Sequence, residues 1–241
     1  MASTISATEL GYYASSRFCP HCAWVRLHVK NLPYQSFPGI FSTIDRYNKL
    51  IVRNYFQREN SLPSWLNQLG EASAYVDPPH WSRFKILDEA SGVTLRGEAD
   101  GIFRMADGSY TIIDYKTSKY SGAQRAMLRS YETQLNAYAF IGDRLGEPLG
   151  LSPVGRLALV YMEPQTEEET ALNPKLADDR GFTMGFAAKV VEVDLKPEKL
   201  IPPLLRKVKA IAEMDQPPAG TPDCKDCQAL DGLIGALERG G

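Results

Sequence analysis

No apolar run in this chain approaches the ~20 residues that a membrane-spanning helix requires. The N-terminus is polar overall and lacks a secretory apolar stretch. The expectation is therefore a cytoplasmic chain without a membrane partner. Excess positive charge is missing as well. Lys and Arg number 27 against 29 Asp and Glu, for a net charge of −2 and a pI of about 6.0. An overall basic footprint is thus excluded, and any polyanion would have to be met by local clusters. Cysteine is sparse, at four residues, and a set of disulfides is not expected in a cytosolic chain of this size. There is no internal repeat.

What is present is enough apolar material for a core. With 44% hydrophobic residues in 241, the simplest organisation is one domain over residues 1–241. The most informative stretch runs from Gly97 to Thr117. Val93 to Arg104 and Tyr110 to Lys116 are rich in Val, Ile, Phe, Tyr and Thr and read as two strands. Ala106-Asp107-Gly108 lies between them. A three-residue hairpin loop ends at positive φ, which suits Gly108. In that register paired residue numbers sum to 214, and Asp100 faces Asp114 with Cβ atoms roughly 5 Å apart. A two-residue loop would send the two aspartates to opposite faces.

Side chains alternate along a strand, so Asp114 shares a face with Lys116, and Glu98 with Asp100. Two adjacent carboxylates repel unless one protonates or a cation lies between them. Hard oxygen ligands favour Mg²⁺ or Mn²⁺. Such an ion polarises a phosphate and acidifies a bound water, while Lys116 can orient that water or stabilise developing charge. The chemistry indicated is phosphodiester hydrolysis. An exposed hairpin with ordinary surface ion pairs is the plain alternative for an isolated Asp-x-Lys.

Downstream, Tyr131 to Leu145 reads as a helix with Leu135, Tyr138, Ala139 and Phe140 near its apolar side. Gln134 and Tyr138, four apart, project from one face. Gly-x-x-Asp, then Ile-Ile-Asp-Tyr-Lys-Thr, then Gln-x-x-x-Tyr together resemble the PD-(D/E)xK nuclease superfamily, in its RecB-like branch. The resemblance implies an α/β fold with a mixed central β-sheet flanked by helices, the restriction-endonuclease-like core. It implies that Asp100, Asp114 and the Tyr115 backbone carbonyl bind metal, that Lys116 is catalytic, and that Gln134 and Tyr138 contact the site or the strand. The implied activity is that of a metal-dependent nuclease or exonuclease acting on nucleic acid, DNA foremost. A catalytically weak module that binds nucleic acid or a partner protein is the competing reading. The acidic balance favours recruitment by a protein partner.

Many relatives of this kind carry a His or Glu on a helix before the hairpin. The corresponding helix here, about Ser42 to Arg58, has Ile44, Tyr47, Ile51 and Tyr55 on one side and no histidine. Asp45, Glu59 and Glu98 are the candidate substitutes. Arg46, Lys49 and Arg53 on this helix read as a solvated face. Lys116, Lys119, Arg125 and Arg129 form a second basic cluster after the hairpin. His80, after Pro78-Pro79, reads as a loop residue.

The cysteines form two pairs, Cys19-Pro20-His21-Cys22 and Cys224-Lys225-Asp226-Cys227. Two Cys-x-x-Cys pairs are a strong metal-site signal. A site using all four would close a loop of about 200 residues. Some RecB-like nucleases, including AddB and the exonucleases of CRISPR adaptation, bracket the domain with cysteines that hold an iron–sulfur cluster. Their one-plus-three arrangement differs from the two-plus-two here, so both 4Fe-4S and structural Zn²⁺ stay open. A redox-responsive regulator and a DsbA-type oxidant are further readings. The oxidant needs a strand before Cys19, whereas Ser6-Ala7-Thr8-Glu9 forms a capping box and predicts a helix there.

The remaining order predicted is a Pro/Gly loop through Leu32-Pro33 and Phe37-Pro38-Gly39, a short helix at Ser64 to Leu69, and a strand at Phe84 to Leu87. A strand at Arg156 to Met162 follows, then a mobile polar loop from Glu163 to Arg180. A last strand is expected at Phe186 to Val193 and an amphipathic helix at Lys199 to Met214. Pro217-Pro218-Ala219-Gly220 ends that helix and delivers Cys224 to the cysteine site.

Overall fold

The computed structural model describes residues 3–29 and 39–240, without the side chains of 122–126. The predicted loop through Leu32-Pro33 and Phe37-Pro38 lies outside the described residues. A short strand, β1 (Thr4–Ser6), leads into α1 (Ala7–Ala14). The predicted capping box is formed: Glu9 N–H donates to Ser6 Oγ at 3.1 Å, and Ser6 N–H donates to the Glu9 carboxylate at 2.9 Å. Next come α2 (Pro20–His28), α3 (Gly39–Glu59) and a 3₁₀ turn at Ser64–Leu69. Strands follow: β2 (Ala72–Val76), β3 (Lys85–Asp88), β4 (Val93–Arg96), β5 (Gly101–Met105) and β6 (Tyr110–Lys116). Helix α4 (Gly122–Gly142) and β7 (Val154–Pro164) complete the centre.

The segment after β7 carries a four-residue helix α5 (Glu168–Ala171), a 3₁₀ turn and a small ribbon, β8 (Ala177–Asp178) and β9 (Gly181–Phe182). What reads as a bare loop from Glu163 to Arg180 is therefore locally structured. It is tied back by Glu163, which accepts from Tyr120 N–H at 2.8 Å, and by a Lys119–Glu167 pair at 2.5 Å. Strand β10 (Phe186–Val193), α6 (Pro197–Ala212) and α7 (Lys225–Gly240) end the chain.

The central sheet has the order β10-β7-β6-β5-β2, with β6 and β7 parallel and the other neighbours antiparallel. The fold is thus α/β with a mixed central sheet flanked by helices. Alternation along β6 divides the core. Ile112 packs with Leu135, Phe140 and Leu157 on the α4 side, and Ile113 and Tyr115 pack with Val52, Phe56 and Leu66 on the α3 side. Asp114 therefore faces α4.

The hairpin register is the predicted one. Gly101 pairs with Ile113 and Arg104 with Tyr110, while Gly108 closes the loop at φ +86°. Val93 to Arg104, however, is not one strand. Residues 93–96 join a separate sheet of order β1-β4-β3, and 97–100 cross to the central one. The crossing has a steric cause. A Cβ on Gly97 would lie 2.6 Å from the Tyr138 ring, and one on Gly101 would lie 2.8 Å from Ile113. Backbone without side chains is what permits the turn beneath α4.

Helix α3 also corrects an expectation. It buries Asn48, Val52 and Phe56, while Tyr47 and Ile51 on the predicted apolar side are 62% and 42% exposed.

Candidate active site and cysteine cluster

Asp114 sits on the penultimate residue but one of β6 and is 2% exposed. Its Oδ1 accepts from Gln134 Nε2 at 3.0 Å, and its Oδ2 lies 2.5 Å from Lys116 Nζ. Among the described residues that ion pair is the contact made by the buried Oδ2. The Lys116 ammonium also approaches Gln134 Oε1 at 3.4 Å and stands 4.1 Å over the Tyr131 ring. Gln134 thus presents its carbonyl to the lysine and its amide nitrogen to the aspartate. A flipped amide would set oxygen against carboxylate and NH₂ against ammonium. Tyr138 OH, at 2.7 Å, and Thr8 Oγ1 on α1, at 3.2 Å, hold the same nitrogen.

Asp100 stands one residue beyond the outermost β5–β6 pair, Gly101 with Ile113. Its Oδ2 accepts from Tyr115 N–H at 2.8 Å, so the hairpin's own backbone aims it. Its Oδ1 pairs with Lys49 Nζ at 2.7 Å, and Lys49 also reaches Asp45 Oδ2 at 2.8 Å. Burial, followed by the Asp114 charge, raises the Asp100 carboxyl to about 7, against the pull of Lys49. Asp114 is raised by burial too, with Lys116 opposing. Burial alone would lower Lys49, but the Asp100 and Asp45 carboxylates outweigh it and push the ammonium up.

The structure brings Asp100, Asp114, Lys116, Gln134 and Tyr138 together at one end of the sheet. Among the candidate substitutes for an upstream ligand, Asp45 joins through Lys49. Glu98 lines the same cleft of about 210 Å³ as Asp100, Lys49, Arg46 and Arg53. Glu59 pairs with Arg58 instead. The basic face of α3 is therefore not simply solvated as expected, since Lys49 reaches the candidate site at Asp100. The Asp45–Lys49 spacing of four on a helix signals that pair but not the contact with Asp100. Tyr131, three before Gln134, was missed on the same kind of spacing. In the second basic cluster, Lys119 is engaged by Glu167, and the Arg125 side chain lies outside those described. His80 is a loop residue bound to Ser82 at 2.8 Å.

Three carboxylates, Asp45, Asp100 and Asp114, surround two ammoniums, Lys49 and Lys116. The adjacent Asp100 and Asp114 carboxylates, both raised by burial, fit a divalent cation with hard oxygen ligands.

The four cysteines meet although the pairs are about 200 residues apart. Cys19 and Cys22 bracket the start of α2, and Cys224 and Cys227 the start of α7. All four Sγ atoms lie within 4.8 Å of one another. Contacts of 3.5 Å (Cys19–Cys227), 3.5 Å (Cys22–Cys227) and 3.7 Å (Cys22–Cys224) are far longer than a disulfide bond. A capped helix precedes the motif, as predicted, yet a second helix also starts at it. Cys19 is affected by burial, which is outweighed by the Cys22 and Thr221 amides, so its thiol falls to about 6. Cys227 is pushed up to about 11 by burial. Thiols so placed are positioned to hold a metal.

The sequence pattern of the PD-(D/E)XK nuclease superfamily matches residues 41–231. The chain belongs to the PD-(D/E)XK nuclease superfamily. This match takes in the hairpin, α4 and the second cysteine pair of the PD-(D/E)XK chain, but not α1 or the first pair. No curated protein has a significant sequence match to it. Similar solved structures include SSO0001, at 15% identity and TM-score 0.43 over 89% of this chain and 79% of that one. They also include the alkaline exonuclease LHK-Exo from Laribacter hongkongensis, at 10% identity and TM-score 0.40 over 98% and 92%. Among the described residues of this superfamily member, no helix is long and apolar enough to cross a membrane.

Proposed function

We propose that this chain is a Mg²⁺- or Mn²⁺-dependent nuclease of the RecB-like kind that hydrolyses phosphodiester bonds in DNA. The observation that carries this reading is the Gln134 amide bridging Asp114 and Lys116 beside Asp100. Asp100, Asp114 and the Tyr115 carbonyl would hold the divalent ion, which when bound supplies Lewis acidity to a phosphate oxygen and a water of lowered pKa. Lys116 places positive charge where the pentavalent phosphorus gathers negative charge. Tyr131 and Gln134 fix that ammonium, and Tyr138 fixes Gln134. Arg46 and Arg53, in the cleft with Asp100, are placed to receive flanking phosphates.

The test compares wild type, Asp114→Ala and Lys116→Ala on single-stranded and duplex DNA with Mn²⁺. Asp114→Ala is expected to lower kcat by about 10³-fold or more, and Lys116→Ala by about 10²–10³-fold. Undiminished cleavage by both variants would refute the mechanism.

One observation favours a second reading. The Lys49 ammonium already lies on Asp100 and competes with any ion there. In a binding module with little catalysis, recruited by a protein partner, calorimetry would find no Mn²⁺ uptake while DNA binding remained salt-sensitive.

A further inference from the structure

We propose that the four cysteines hold a single tetrahedral zinc ion and that their site is closed to a four-iron cluster. This stands apart from the nuclease reading, since it concerns the opposite chemistry, soft thiolate ligands around one ion.

The first argument is the size of the sulfur cage. Zinc–thiolate bonds of about 2.3 Å in a tetrahedron give sulfur–sulfur edges of about 3.8 Å. The three close edges here are 3.5, 3.5 and 3.7 Å, and no pair exceeds 4.8 Å. In a four-iron cubane each cysteine binds a different iron. The irons and bridging sulfides then stand between the thiolates, which must be spread well beyond the edges of a one-ion cage. These sulfurs are spaced to share one centre.

The second argument is the wall around the cage. Gly220 lies so close that a Cβ there would be 3.0 Å from Cys227 Sγ and 3.8 Å from Cys19 Sγ. Thr221 N–H donates to Cys19 Sγ at 3.3 Å, and its hydroxyl donates to the Phe18 carbonyl at 3.2 Å. The same strap is pinned by His21 Nδ1, 3.1 Å from the Pro218 carbonyl. Opening the cage for bridging sulfides would tear this strap away.

The third argument is the ligand set. Two Cys-x-x-Cys turns supply four thiolates and leave no open position, the composition of a structural zinc centre. Each turn starts a helix, α2 or α7, whose N-terminal dipole offsets part of the excess negative charge.

The full chain, purified without a metal-affinity step, decides the matter. Elemental analysis is expected to find about one zinc per chain and no acid-labile sulfide in a colourless protein. X-ray absorption is expected to show a single shell of four sulfurs at about 2.3 Å. A mercurial reagent is expected to release that zinc in step with loss of four thiols, a measurement that requires no variant to fold. Gly220→Val, which crowds the cage from outside, is expected to weaken zinc at least tenfold in competition with a chromogenic chelator. A brown protein carrying about four iron and four sulfide per chain, as isolated or after anaerobic reconstitution, would overturn the proposal. So would zinc that stays bound after all four thiols are modified.

Discussion

Asp100 is held in a folded environment that opposes its own ionisation. Its carboxyl lies near 7 rather than 3.8 because burial and Asp114 penalise the charge. The metal-free native state therefore binds more protons than the unfolded chain between those values. Asp100 contributes full stability below pH 4, and that contribution is lost as pH rises through about 7. Asp100→Asn is expected to raise the melting temperature of the metal-free protein at pH 8 by about 2–4 °C, for roughly 1 kcal/mol. It should also flatten the stability profile between pH 4 and 7 and abolish Mn²⁺ binding. Calorimetry with and without Mn²⁺ checks all three. Gln134→Leu runs the other way: it strips the hydrogen bond that Gln134 Nε2 donates to the buried Asp114 Oδ1 and is expected to cost about 1–3 kcal/mol.

Between β4 and β5 the chain changes sheets, and Tyr138 of α4 rests on the crossing at Gly97. Gly97→Ala is expected to destabilise by about 1–3 kcal/mol, because the Tyr138 ring or the crossing must move. Activity should fall alongside, since Tyr138 OH holds Gln134. Thermal melts with single-turnover cleavage would show whether the two losses travel together. Much of the hairpin was legible in the sequence, because loop length and Gly108 set the register locally. The break at Gly97 was not, since a glycine in a strand pattern looks the same whether it permits close packing or a change of sheet. On α3 the apolar residues Tyr47 and Ile51 pointed to the wrong face. The buried face instead runs through polar Asn48, and Lys49 beside it reaches Asp100 across a tertiary contact that periodicity does not reveal. Helix α7 escaped notice behind the Pro217-Pro218 break. The network Asp114, Lys116, Gln134 and Tyr138 was readable because strand alternation and helical spacing put each partner on a known face. Thr8 was not, because it arrives from a helix more than a hundred residues away.

At the scale of the whole chain, the cysteine cage joins α2 to α7 and closes a loop of 202 residues between Cys22 and Cys224. Cross-linking so long a loop removes on the order of 4–5 kcal/mol of unfolded-state entropy in the chain-entropy account. With the proposed zinc in the cage, chelation is expected to lower the melting temperature by roughly 10 °C, with the readout taken in excess Mn²⁺ to separate it from any effect at the carboxylates. Strand β1 adds to the closure by pairing with β4. The contact of Thr8 with Gln134 carries the closure as far as the carboxylates.

That contact redraws where the molecule can be shortened. Family likeness starts at residue 41, and a truncation there looks harmless on that basis. Yet it would strip the outer strand from β4 and halve the thiol set. It would also remove the hydroxyl that steadies Gln134. A protein begun at residue 41 is expected to be insoluble or inactive, and one begun at Ser3 to behave as the full chain. Strand β1, α1 and the first cysteine pair thus tie the start of the chain to the sheet, the carboxylates and α7 at once.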